Sequence, residues 1–280
     1  MSSTVDLDHP STETRPTSGE PRRRGDGIRT VIRGLGQTLI TIGLISLLFV
    51  VYELWVTDIF AAQEQHHLSQ QIHERWADAP TVEPAPSNPA APSAPFTPAA
   101  IDVSVGQPFA VLHIPRLAGG DGYTRVVVEG VAQTQLAQGP GHYIGTAMPG
   151  EQGNLAIAGH RVGRGSPFLD LDHLRPGDPI VVETADAWFV YRVLGDLATG
   201  SFTGDPSGIQ GQEIVPPTQV SVISPTPGGP AAGPASGAYL TLTTCHPKFS
   251  ARQRLIIHAR LDGAPLSKAE APNGPAALAG

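Results

Sequence analysis

Between residues 101 and 262, short runs rich in β-branched and aromatic residues recur, and turn residues break each one before it reaches helical length. The runs fall at 109–114, 125–128, 155–158, 180–183, 188–194, 220–223, 239–244 and 255–261. A chain patterned this way buries its apolar residues on one side of each strand, and eight strands with few helices predict an all-β fold, a closed eight-stranded barrel. One short helix is expected between strands. Ser166 can cap it, Pro167 suits its first position, and Phe168, Leu171 and Leu174 share a face before Pro176-Gly177 ends it.

The segments around this domain differ in composition. Residues 1–34 are polar and end in a basic cluster of Arg22, Arg23, Arg24, Arg29 and Arg33. Residues 35–56 form an apolar run closed by Tyr52 and Trp55. Basic residues before an apolar run and aromatics at its far end predict a single transmembrane helix with a cytoplasmic tail before it. No small-x-small cleavage site follows Trp55, so an uncleaved signal anchor is expected. Residues 57–100 read as a helical stalk, with Leu68, Ile72 and Trp76 four residues apart, followed by a Pro/Ala-rich linker. Such a linker cannot bury a core and spaces the next domain from the membrane. Residues 263–280 return to that composition and are expected to be a disordered tail.

A net charge of −7 opposes a nucleic-acid function, which needs a basic surface. The chain has one cysteine, Cys245, so no internal disulfide can hold the domain. Strand alternation then sorts the candidates for chemistry. If Leu240 and Leu242 point into the barrel, Thr241, Thr243 and Cys245 point out. If Leu255, Ile257, Ala259 and Leu261 point in, Arg254, His258 and Arg260 point out. Thiol chemistry needs a thiolate, and a nearby imidazole can serve it and later protonate a leaving amine. His142, His160, His246 and His258 all compete for that role, and His246 adjoins Cys245 but faces the other way. Either Arg254 or Arg252 could donate to an oxyanion.

The run Thr-Leu-Thr-Thr-Cys at 241–245 resembles the sortase signature TLxTC, with Arg254 nine residues later. Upstream, Gly141-His142-Tyr143, Pro149-Gly150, Gly153-Asn154 and Ala158-Gly159-His160-Arg161 resemble the region that carries the sortase histidine. The resemblance spans roughly residues 101–262, and Cys245-His246-Pro247 with Arg254-Leu255-Ile256-Ile257 is most similar to class E, the housekeeping type of high-GC Gram-positive bacteria. It implies a membrane-anchored cysteine transpeptidase on an extracellular barrel. Cys245 would attack the threonyl carbonyl of an LAxTG or LPxTG sorting motif, with His160 as acid/base and Arg254 holding substrate and oxyanion. Thr243, Thr244 and His246 would contact the substrate. The partners implied are surface proteins with a C-terminal sorting signal and an amine of the peptidoglycan precursor, with no cofactor and no metal. No acidic cluster suggests a calcium-modulated enzyme. Two alternatives stand beside this reading: a pilin-polymerising sortase, and a non-catalytic wall-binding module. Papain-like peptidases place Cys before His, the reverse of the order here.

Overall fold

Inward-pointing residues of successive strands define the core, and the strands close around them. The computed structural model of the protein describes residues 25–52, 57–77, 96–117 and 123–279. It divides into two units, residues 1–50 and 51–280.

The first unit contains helix α1, Gly25–Val51. It starts ten residues before the apolar run, and no proline lies between Gly25 and Leu35 to stop it. Its segment Gly27–Val51, 25 residues long and holding an 18-residue window of mean hydropathy 2.0, is long and apolar enough to cross a membrane. At ~1.5 Å per residue it exceeds the ~30 Å of a bilayer's hydrocarbon core. Leu39, Ile40, Leu44, Leu47 and Phe49 are all exposed, as the side chains of a helix meant for lipid would be.

The second unit opens with α2, Thr57–Ala77. The strands then follow in order: β1 (Pro108–His113), β2 (Thr124–Glu129), a one-turn helix α3 (Gln133–Leu136), β3 (Gly141–His142), β4 (Gly153–Ala158), β5 (Pro179–Glu183), β6 (Ala187–Val193), β7 (Gln212–Val215), β8 (Ala238–His246), β9 (Gln253–Leu261) and β10 (Leu266–Ser267). The hydrogen-bonded order β6-β5-β1-β2-β3-β4-β8-β9 returns to β6 through a β6–β9 pairing, which closes an eight-stranded barrel. Strands β7 and β10 attach outside that ring, on β9 and β6. The interior holds Leu112, Leu155, Ile157, Val182, Phe189, Tyr191, Leu240, Leu242, Leu255, Ile257 and Ala259. These include the leucines and isoleucine that alternation assigned to the inside of β8 and β9.

Several expectations are corrected. Residues 220–223 form a 3₁₀ turn, Val220–Ile223, instead of a strand. Pro216, Pro217 and Pro225 flank it and withhold the donors that a ladder needs. The expected helix at 166–174 is reduced to a 3₁₀ turn, Leu171–His173. Arg164, Gly165 and Ser166 all have positive φ, a left-handed stretch that turns the chain so that the Phe168 N–H donates to the His160 carbonyl. Phe168, Leu171 and Leu174 nevertheless share one face and fill the core.

The stalk is not a free spacer. Leu68, Ile72 and Trp76 of α2 pack on Val111, Val126 and Val128 of the barrel wall. The linker's residues 78–95 lie outside the described residues, and by Phe96, Ile101 and Val103 the chain already packs against the core. The expected disordered tail is also ordered over its described length. Leu266 and Ser267 pair with Trp188 and Ala187, and the Trp188 indole donates to the Ala271 carbonyl at 3.0 Å. An unpaired edge on β6 supplies the partner that composition could not reveal.

Candidate active site

Strands β4 and β8 run parallel and in register from Gly153↔Ala238 to Ala158↔Thr243. Two more bonds extend the pairing: the Gly159 N–H donates to the Thr243 carbonyl at 3.0 Å, and the Thr244 hydroxyl donates to the Gly159 carbonyl at 2.8 Å. His160 and Cys245 each stand two residues beyond the pair Ala158↔Thr243, so they emerge side by side at the ends of adjacent parallel strands. On the other flank of β8, Cys245 lies directly opposite Arg254 of β9. The thiol, the imidazole and the guanidinium therefore occupy three neighbouring strands at one rim of the barrel. This register also separates the two candidate arginines, because Cys245 pairs with Arg254 and Arg252 precedes β9.

Cys245 is a free, half-buried thiol. His160 is half-buried, and its Nε2 is enclosed with no hydrogen-bond partner among the described residues. Burial, and then the nearby Arg164 charge, hold its pKa below the ordinary histidine value. The resting imidazole is thus neutral at pH 7 and has an unengaged nitrogen. The rival histidines are occupied. His142 is wholly buried, with Nδ1 2.7 Å from the Glu129 carboxylate and Nε2 2.8 Å from the Thr146 hydroxyl. His258 is buried between the Thr241 hydroxyl at 2.8 Å and Glu213 at 3.1 Å. Both nitrogens of each ring are engaged by neighbouring side chains, which leaves neither for a reacting group.

The residues expected at the substrate are less uniformly placed. Arg254 is half-exposed, and its guanidinium donates to the carbonyls of Ala251 and Gln253 at 2.9 and 3.0 Å. It is parked against the β8–β9 turn. Thr243 is buried, with its hydroxyl 3.1 Å from the Tyr143 hydroxyl. Thr244 falls on the core-facing side of β8, where its hydroxyl fixes the Gly159 carbonyl beside His160. Neither threonine presents a free group to solvent. His246 pairs with Gln253 on the face opposite Cys245, half-buried, with Nδ1 unpartnered among the described residues.

Arg161 was not singled out as a functional residue. It is buried, and its guanidinium donates to the Leu169 carbonyl at 2.9 Å and to the Asp172 carboxylate at 2.8 Å, and lies 3.5 Å from the Cys245 carbonyl. The sequence signal was its position next to His160; its partners lie 8 to 84 residues away. Asp170, Asp172 and His173 also form a cluster that sequence reading did not identify, with ligand atoms within 4.8 Å of one another. Lys248 already balances Asp170, and Arg161 balances Asp172.

This rim, on a barrel closed in this order, is the architecture of a transpeptidase family. The sequence profile of the sortase domain matches residues 112–262. Sortase SrtE1 of Streptomyces coelicolor is 35% identical over 251 residues, which cover 86% of this chain and 60% of that relative's length. Sortase SrtE2 of the same organism is 31% identical over 270 residues, 93% of each chain. Among solved structures, the SrtF sortase from Corynebacterium diphtheriae superposes with a TM-score of 0.57 at 39% identity, covering 65% of this chain and 96% of that one. The chain belongs to the sortase family, and its similarity to SrtE1 and SrtE2 agrees with the class E resemblance.

Proposed function

We propose that the protein is a transpeptidase that cuts a surface protein's LAxTG- or LPxTG-type sorting motif between Thr and Gly and joins the new carboxyl end to an amine of the cell-wall precursor. The observation that carries this reading is the line His160–Cys245–Arg254 across three adjacent strands of a sortase-family barrel. Neutral His160 takes the Cys245 proton, and the thiolate sulfur attacks the threonyl carbonyl carbon. Arg254 swings from the turn carbonyls to the oxygen that gains charge. The carbon–nitrogen bond breaks, the His160 proton goes to the departing glycine amine, and a thioester remains on Cys245. The acceptor amine then attacks that thioester and gives its proton to His160, and the carbon–sulfur bond breaks to restore the thiolate.

The enclosed, low-pKa imidazole suits the first step, since a base must be neutral to accept a proton. A family arginine that can leave two exposed backbone carbonyls without loss suits the second. Helix α1, with arginines ahead of it, supports an anchor whose N-terminus faces the cytoplasm and a catalytic unit outside the membrane. Incubation with LAxTG and LPxTG peptides, followed by intact-mass measurement, tests the reading. A mass increase equal to the acyl fragment, lost in Cys245→Ala, is expected. Turnover of either peptide by Cys245→Ala would overturn the assignment.

A further inference from the structure

The ladder between β4 and β8 stops short of the reacting residues. Past the Thr244–Gly159 bond, the chain segments carrying His160 and Cys245 are joined among the described residues by Arg161. Its guanidinium spans from the Cys245 carbonyl to the Leu169 carbonyl and the Asp172 carboxylate. The segment it grips is fixed at two other points. The Phe168 N–H donates to the His160 carbonyl at 3.1 Å, and Lys248, three residues after Cys245, pairs with Asp170 at 3.0 Å. Residues 168–172 thus form a brace bonded to the backbone of His160 on one side and, through Lys248 and the Arg161 guanidinium, to the Cys245 segment on the other.

We infer that Arg161 is a positioning residue of the active site, holding the Cys245 backbone at a fixed offset from His160 through this brace, with Asp172 orienting the guanidinium. The proposal rests on the catalytic reading of Cys245 and His160. Three directed contacts from one planar group set an orientation that a point charge cannot reproduce. Asp172 is half-exposed while the Arg161 side chain is almost wholly buried, so the arginine's charge is neutralised from the solvent side and its inner edge faces Cys245. The sequence Gly159-His160-Arg161 places the base and its positioner on consecutive residues. The guanidinium turns to the Leu169 carbonyl and the Asp172 carboxylate of the brace.

The test compares wild type with Arg161→Lys and Asp172→Asn in the full chain in detergent, using single-turnover formation of the Cys245 acyl-enzyme from an LAxTG peptide. Misplacement of a reacting group by about 1 Å costs on the order of 10²-fold. Arg161→Lys is therefore expected to slow acylation by ~30–100-fold, with the peptide concentration for half-maximal rate within about threefold of wild type. Asp172→Asn, at the exposed end, should lose ~3–10-fold by loosening the same group. The double variant should be no worse than Arg161→Lys alone, because both act through one contact set. A merely structural arginine would lower thermal stability and leave the acylation rate of the folded fraction unchanged. Wild-type acylation in Asp172→Asn, or in folded Arg161→Lys, would overturn the proposal even if the other variant fails to fold. If wild type itself forms no acyl-enzyme, it is the catalytic reading that fails, which is a separate outcome.

Discussion

Cys245 and Arg254 are cross-strand partners, directly opposite each other on antiparallel β8 and β9. The register that sets them face to face is held from Tyr239↔Arg260 to His246↔Gln253. It is pinned by a core on which a one-residue slip would turn Leu240, Leu242, Leu255 and Ile257 outward. The energy that fixes the barrel therefore also fixes which arginine stands beside the thiol.

This register yields a prediction about charge against geometry. Arg254→Lys keeps the charge but loses the planar fork, so kcat should fall by an amount near the ~10²–10³-fold seen when one oxyanion donor is removed. Arg252→Ala, outside β9 and exposed, should stay within about threefold. Steady-state kinetics on a sorting peptide measures both. Full activity in Arg254→Lys would leave the arginine only a general electrostatic role.

Cys245→Ala should abolish acyl-enzyme formation and leave the barrel intact. The thiol is half-buried at a strand end, so its loss leaves little cavity, and the unfolding midpoint should shift by less than the equivalent of ~1 kcal/mol. Circular dichroism and denaturant titration of the variant beside wild type check this. A collapsed fold would make Cys245 a packing residue.

His160 is neutral in the resting protein because burial, and then Arg164, disfavour its charged form. A depressed base pKa means that the base form persists below the ordinary value of 6.5, and activity falls only as pH drops through the lower value. The acid limb of kcat/KM should accordingly lie below 6.5 in wild type. Arg164→Gln removes one of the two causes and should move that limb upward, toward 6.5. A limb unmoved by Arg164→Gln and lying at or above 6.5 would mean that another group titrates there. His160→Ala should cost ~10²–10⁴-fold, and His246→Ala far less.

Local alternation made much of the site legible. On β4, β8 and β9, buried aliphatics at every second position determine the outward set, and Cys245 and Arg254 are in it. What stayed hidden depends on partners distant in sequence. Nothing near Leu266 or Ser267 announces that β6 has a free edge for them. Thr244 sits beside Cys245 in the chain but faces inward, and its hydroxyl donates to the carbonyl of a glycine 85 residues upstream. Arg161 is conspicuous only once Leu169, Asp172 and Cys245 are folded around it. The same holds for 220–223, whose apolar residues suit a strand until the prolines on both sides are weighed.

Helix α2 gives the last prediction, because it is built into the wall of the barrel. Strand β3 is two residues long and reaches only Val128 and Glu129 of β2, so on the flank away from β1 the β2 edge at Val126 has no strand beside it among the described residues. The Gln65 amide fills that place. Its Oε1 accepts from the Val126 N–H at 2.8 Å, and its Nε2 donates to the carbonyls of Val126 at 3.2 Å and Gln138 at 2.8 Å. A side chain thereby imitates one residue of a missing strand, and Ile72, fully buried, seats the next turns of the helix on Val111 and Val126. Gln65→Ala would leave these backbone groups unpaired, at about 1–3 kcal/mol for a buried unsatisfied donor or acceptor. Ile72→Ala should cost about 2–5 kcal/mol as a large-to-small core change. Urea unfolding of the chain from residue 57 onward reads both losses, with Cys245 acylation in the folded state kept within about twofold because neither residue contacts the rim. If both variants unfold at the wild-type midpoint, α2 is not docked in solution, and the segment before residue 96 is the free stalk that its composition suggested.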